Sequence, residues 1–340
     1  MIVLPPKAKI VLVRPDRIGD VVITSTCFAF FKNKFPSANI YFAAEERMQC
    51  LFEKTPSLRD FIPLAGSAER EKKFAHILRE FQPDAVIHFH PDAACYCAAA
   101  QAGIPIRIGW RKRFLSKFLT HAFEDIRHEG KQHEALYNFH LLQALGIQSP
   151  QELKLEISPA LSAQENLKRK LPWSINKTAY AVIHPTSARE IRRWPAERFA
   201  EIARWLFQER GLQIISLGAN DDASQAFAVV TQDIPVVHLE NKLNLAETAW
   251  LLRFAKLLIS CDSGPSHIAA AVNCPQVMIF GRNEPAYGPT RWKALSDRAI
   301  ILSPAIPRKF LESKRSFWKR GFLSISTQTI KNSLKDFIFD

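Results

Sequence analysis

Two short polar blocks constrain this chain more than any other feature. Arg14-Pro15-Asp16-Arg17-Ile18-Gly19-Asp20 and Cys261-Asp262-Ser263-Gly264-Pro265-Ser266-His267 each follow an apolar run that reads as a buried strand, and each opens into a helical pattern. Open α/β sheets place their chemistry at such turns, because backbone N–H groups at the helix start face the ligand. One block stands near the start of the chain and the other about three-quarters along it. The pair predicts two similar α/β halves facing one another across a cleft, with a site drawn from both.

The segments between the blocks carry the same alternation. Short apolar runs at 10–13, 39–43, 61–64, 85–89 and 106–108 predict strands, and 21–35, 49–54, 69–81, 93–102 and 133–145 predict helices. After 178 the plan repeats, with strands at 179–184, 213–217, 236–239, 257–260 and 276–280 and helices at 196–210 and 245–254. Strands alternating with helices predict parallel, doubly wound sheets. The polar, proline-punctuated stretch between them predicts a domain over 1–160, a linker over 161–177 and a second domain over 178–325. The amphipathic tail 326–340 predicts a last helix that packs back on the N-terminal domain.

Bulk properties narrow the class. At 340 residues, with 47% hydrophobic and 23% charged residues, the chain has ample core for two soluble domains. It offers no apolar run long enough to span a bilayer, and its first residues lack the order of a signal peptide. A cytoplasmic protein is expected, acting as a monomer. The six cysteines fit free thiols, because Cys95 and Cys97 have no second pair to complete a zinc site. A formal net charge of +13 calls for anionic partners: nucleic acid, phosphorylated substrates or an anionic leaflet. No helix-turn-helix, zinc-finger or RNP pattern accompanies that charge, which argues against nucleic acid.

Each block makes chemical sense by itself. Asp20, after the first strand, could serve as a base or simply cap the helix, and spacing alone leaves both open. Thr186 and Ser187 offer hydroxyls and N–H groups at a turn that also carries Arg189, Arg192 and Arg193, a set that suits an anionic ligand. Gly264 lets a phosphate approach the start of the following helix, and Asp262 can accept hydroxyls of a ligand. Ser263 joins that turn. His267 either contacts phosphate or packs to hold the loop. Gly218 and Asn220 end another strand.

Four elements in order, R-x-D-x-I-G-D, KQHEALYNFHLLQALGI at Lys131–Ile147, HPTSAREIRRWPAERFAEIA, and CDSGPSHIAAAVNCPQVMIFG, resemble the family 9 glycosyltransferases, the bacterial heptosyltransferases of lipopolysaccharide core synthesis. The resemblance spans nearly the whole chain. It implies the GT-B fold, two Rossmann-like doubly wound domains, and inverting transfer from a nucleotide sugar, ADP-heptose, to the anionic glycolipid of the lipopolysaccharide inner core. It implies Asp20 as the general base and a donor site of Thr186, Ser187, Arg192, Gly218, Asn220, Asp262, Ser263, Gly264 and His267. Arg17, Gly19, Arg111 and Arg113 fall on the acceptor side. No metal or other cofactor is expected. The chain departs from the family twice: Arg192 stands where a lysine is typical, and Asn220 where an acidic residue often lies near the nucleoside. Arginine keeps the charge but adds a bidentate geometry that lysine lacks.

Two basic clusters remain. Arg107, Arg111, Lys112 and Arg113 suit an anionic acceptor. Arg308, Lys309, Lys314, Arg315, Lys319 and Arg320, interleaved with Phe310, Phe317 and Trp318, read as a peripheral contact with the inner membrane, and a solvated basic surface stays open for both. The rival functions are a nucleotide-sugar epimerase or hydrolase of the same fold, and a non-enzymatic binder of anionic ligands.

Overall fold

A computed structural model describes residues 2–338 except 188–190, 192 and 306–311, with the backbone alone at 314, 336 and 338. The chain divides into two compact units, Met1–Pro159 and Ala160–Asp340. In the first, β1 (Lys9–Val13), β2 (Asn39–Glu45), β3 (Asp60–Leu64), β4 (Ala85–His88), β5 (Ile106–Trp110) and β6 (His121–Phe123) form a parallel sheet in the order β3-β2-β1-β4-β5-β6. In the second, β7 (Tyr180–His184), β8 (Gln213–Ser216), β9 (Val236–His238), β10 (Leu257–Cys261), β11 (Gln276–Ile279) and β12 (Ala299–Leu302) run β12-β11-β10-β7-β8-β9. Counted from its own first strand, each sheet has the order 3-2-1-4-5-6 of a Rossmann fold. Helices cover both faces, so β4, β7, β10 and β11 are buried at every position.

Identical winding puts the chemistry at identical places. The chain leaves the first strand of each sheet to one side and the fourth to the other, and a crevice opens past their carboxyl ends. In the first unit that is the region after Val13 and His88. In the second it is the region after His184 and Cys261. Both polar blocks of the sequence lie there.

Several elements differ from their prediction for local reasons. The helix expected over 21–35 is broken into Ile18–Thr24, a tight turn at Ser25–Cys27, and Phe28–Lys34. Three successive hydroxyls bond back to helix carbonyls there: Thr24 to Asp20 O at 2.8 Å, Ser25 to Val22 O at 2.6 Å and Thr26 to Ile23 O at 2.8 Å. Such bonds bend a helix. The segment whose polarity predicts a linker holds the helix Leu161–Lys168, which sinks Ala163 and Leu167 and belongs to the second unit. Lys170 anchors it on Glu247 at 2.8 Å, and Trp250 Nε1 donates to Ala160 O at 3.0 Å. Two inward residues are too weak a periodic signal to read.

The final helix, Thr327–Ile338, is present, and its apolar face packs within the second unit. Ile330 and Leu334 are buried in the second unit's own core with Phe199 and Trp205, and Lys331 pairs with Glu201 at 2.9 Å. Strands β6 and β12 and the helix Asp222–Val230 escape prediction because they are short or lack periodic patterning.

Candidate active site

Arg14 is the first residue past β1, and its side chain is buried among groups from three parts of the first unit. All five guanidinium N–H groups find acceptors. Nε reaches Asp16 at 2.7 Å, Nη1 reaches Phe89 O at 3.2 Å and Asn138 Oδ1 at 3.3 Å, and Nη2 binds Asp20 and, at 3.1 Å, Glu134. Glu134 opens the helix Glu134–Leu142 and is fully buried; Arg127 approaches it at 3.7 Å while gripping Asp125 with both Nε and Nη2. Trp110 lies under the Arg127 guanidinium, 5.0 Å from ring centre to Cζ. His90 Nδ1, past the end of β4, sits 3.1 Å from Asp16.

Two arginines therefore face four carboxylates, and the imbalance falls on Asp20. It lies in the first turn of Ile18–Thr24, 8% exposed, yet its carboxyl turns to Arg14 and no side chain caps that helix. Burial, reinforced by the charge of Asp16, pushes Asp20 up to about 7 against the pull of Arg14. Burial acts on Asp16 too, but the adjacent Arg14 and the bond to His90 outweigh it and hold that carboxyl well below the usual range. The carboxyls are thus driven apart: one is always charged and the other is poised near neutrality, as a general base should be.

In the second unit, His184 ends β7. Burial lowers it to about 4, so its ring is neutral, with Nε2 3.2 Å from Thr186 Oγ1 and Nδ1 3.4 Å from Ser263 Oγ. Ala219 N donates to the same Thr186 hydroxyl at 3.4 Å. Gly218 has φ +142°, and a Cβ there would stand 2.2 Å from Thr186 Oγ1, so only glycine permits this approach. Ser263 is the N-cap of the helix Gly264–Ala271, with Pro265 in its first turn. Thr186, Gly218 and Ser263 thus meet around His184, a residue the sequence reading passes over.

Asp262 is engaged by Arg282 Nη2 at 3.0 Å. That guanidinium is buried, lies 4.5 Å from the Trp318 ring centre and 5.5 Å from that of Tyr287, and among the described residues leaves Nη1 without a hydrogen-bond partner. Asp262, Arg282 and Trp318 line one small cavity with Ile191, Phe280, Gly281 and Phe322.

Other predicted residues are placed differently. His267 is 2% exposed inside its helix. Ser187 presents its carbonyl to Arg193 at 3.0 Å, and Arg193 also pairs with Asp221 and Asp222 at 2.8 and 2.7 Å, so its charge is spent. Asn220 is exposed, as are Arg17, Arg111 and Arg113, while Gly19 is buried. Arg189 and Arg192 lie outside the described residues, as do Arg308, Lys309 and Phe310. The two described aromatic residues of that segment are not available for a membrane contact: Phe317 is 1% and Trp318 7% exposed, and Trp318 Nε1 donates to Glu284 at 2.7 Å. Arg14, Asp16, Glu134 and Arg282 were signalled only as charges beside buried strands or at a helix start.

Among the described residues no helix is long and apolar enough to cross a membrane, and no three His, Cys, Asp or Glu side chains form a metal-binding set.

Comparison with known proteins places the chain in a family. The model of glycosyltransferase family 9 (heptosyltransferase) matches residues 72–317. Lipopolysaccharide heptosyltransferase 2 of Escherichia coli (strain K12) is 25% identical over 313 residues, covering 86% of this chain and 87% of that protein. Lipooligosaccharide heptosyltransferase 2 of Haemophilus influenzae is 26% identical over 315 residues, covering 86% and 88%. The solved structure of E. coli ADP-heptose lps heptosyltransferase II shares the fold with a TM-score of 0.79 at 20% identity, over 97% of this chain and 98% of that one. Two Rossmann-like sheets of the GT-B class and a family match over most of the length lead to one conclusion: the chain is a glycosyltransferase and belongs to glycosyltransferase family 9 (heptosyltransferase).

Proposed function

We propose that this enzyme is an inverting heptosyltransferase that moves heptose from ADP-heptose to the lipopolysaccharide inner core, with Asp20 as general base. The observation that carries the reading is the Asp20 carboxyl, held past β1 by Arg14 and raised to about 7 by burial. Asp20 takes the proton of an acceptor hydroxyl. The hydroxyl oxygen forms its bond to the anomeric carbon as the bond from that carbon to the diphosphate breaks, and a single displacement inverts the centre. ADP leaves with the electron pair.

On the donor side, Thr186, Ser187, Arg192 and the Ser263-Gly264 turn hold the diphosphate, while Asp262 accepts sugar or ribose hydroxyls. Gly218 and Asn220 border the nucleoside, and His267 supports the turn from within its helix. Arg17 and Gly19 flank the acceptor. This reading requires no metal, so EDTA leaves the rate unchanged. The acceptor is borne by the cytoplasmic face of the inner membrane, where the monomeric enzyme works as a peripheral protein. Relatives named as lipopolysaccharide heptosyltransferases support the donor and acceptor classes.

The test is transfer from ADP-heptose to inner-core acceptor, run beside Asp20→Asn. The variant is expected to lose about 100-fold or more in kcat, with ADP affinity by calorimetry unchanged. A fully active Asn variant removes Asp20 as base. Rapid consumption of donor without acceptor would instead favour an epimerase or hydrolase.

A further inference from the structure

Between Asp92 and Glu124 the chain has no acidic residue. Within that stretch Arg107 is consumed by structure, with Nε donating to Phe118 O at 2.6 Å and Nη1 to Ile104 O. Arg111, Lys112, Arg113 and Lys117 are all exposed, and among the described residues none has a carboxylate in ion-pair reach. Phe114, in their midst, is 86% exposed. A lone exposed phenylalanine is ordinary on a soluble protein; one set among four unneutralised cations is not.

The turn that carries this ring is well bonded. Residues Arg113–Phe118 form a tight helical turn, Leu115 N donates to Lys112 O at 2.9 Å, and Lys112 N donates to Ser116 Oγ at 3.1 Å. Lys117 lies over the Phe118 ring at 5.1 Å. The backbone thus holds Phe114 outward by its own hydrogen bonds. At 86% exposure the ring gains little burial from this fold, whereas the interface of an anionic bilayer takes the ring among its acyl chains and the cations among its headgroups.

We propose that the turn 111–118 docks this enzyme on an anionic lipid leaflet, with Phe114 as the inserted anchor and Arg111, Lys112, Arg113 and Lys117 as its electrostatic collar. This moves the peripheral contact from the 308–320 segment, whose described aromatics are buried, to the loop after β5. It rests on the proposed function only in that the acceptor there is membrane-borne.

The test is co-sedimentation of the full chain with phosphatidylcholine vesicles that contain a third phosphatidylglycerol and no glycolipid, at physiological salt. Acceptor recognition then cannot supply the binding. The protein is expected on these vesicles and absent from pure phosphatidylcholine. Each cation near such a surface strengthens binding by about five-fold, so Arg111→Ser/Arg113→Ser is expected to weaken it roughly 25-fold. Phe114→Ser costs about tenfold by the burial lost. Lys32→Ser/Lys34→Ser removes the same charge from an exposed helix elsewhere in the unit and is expected to change little.

Absence of vesicle binding, or equal losses in the two double variants, overturns the proposal. So does retention on a single-stranded oligonucleotide, lost by the same substitutions, without binding to vesicles. Transfer to a water-soluble acceptor is scored separately with Phe114→Ser. If transfer fails in wild type while vesicle binding holds, the functional reading falls and the docking surface stands.

Discussion

Asp20 is worth the closest reading because two forces of opposite sign act on it. Burial and the neighbouring Asp16 favour the protonated form, while Arg14 favours the ionised one, and the balance is a carboxyl near 7. A base works only when deprotonated, so kcat/KM for transfer is expected to be flat above about pH 7. Below it the value should fall about tenfold per pH unit. A profile flat down to pH 5 would sink that assignment. Arg14→Met removes the attractive charge, so the inflection should move to higher pH. The same change strands buried carboxylates, and chemical denaturation should show a loss of about 3–5 kcal/mol. Residue identity announced part of this cluster. Asp20, Thr186, Asp262 and Gly264 stand out as polar or small residues in the turns that follow apolar runs. Glu134 and Asn138 did not, because their approach to Arg14 spans more than a hundred residues of sequence.

At the scale of elements, the helix Lys314–Ser324 shows how a surface reading can invert. Basic residues alternating with aromatics suggest an interfacial face, yet Phe317, Trp318 and Phe322 point inward and the helix closes over Arg282. Glycine makes this possible. A Cβ on Gly321 would stand 2.0 Å from the Gly281 carbonyl oxygen, and one on Gly281 would strike the Phe322 ring at 2.2 Å. Because the first clash is with backbone, Gly321→Ala must displace the helix. Overpacking of this kind costs about 1–3 kcal/mol, measurable as a lower melting temperature. Displacement also frees Arg282 from Trp318, so tryptophan fluorescence should shift. An unchanged spectrum and stability would show that the helix does not need this contact. The sequence hides it because 40 positions separate the two glycines, and neither carries a side chain to betray its neighbour.

For the whole molecule, the repeated 3-2-1-4-5-6 winding gives each unit its own core and its own crevice past the first and fourth strands. Ligand binding should therefore be reported by one unit at a time. At a hundredfold excess over its Kd, ADP is expected to add about 2.7 kcal/mol of stability. Hydrogen exchange should show the added protection in β7, β10 and the turns after them, with little change in β1–β6. Protection confined to the first unit would place the nucleotide elsewhere and overturn the donor assignment.

By itself, the sequence determined the α/β class, the two parallel sheets and the strand ends at which chemistry gathers. These follow from local physics: apolar runs must be buried, and the polar turns between strand and helix gather at the strand ends. Tertiary structure alone decided where the charges went. It spent Arg193 and Arg107 on structural partners, turned the second basic cluster's described aromatics inward, kept the final helix in its own unit and left Phe114 and its collar exposed. Pairing and burial depend on which distant residue arrives at each site, and no periodicity along the chain records that.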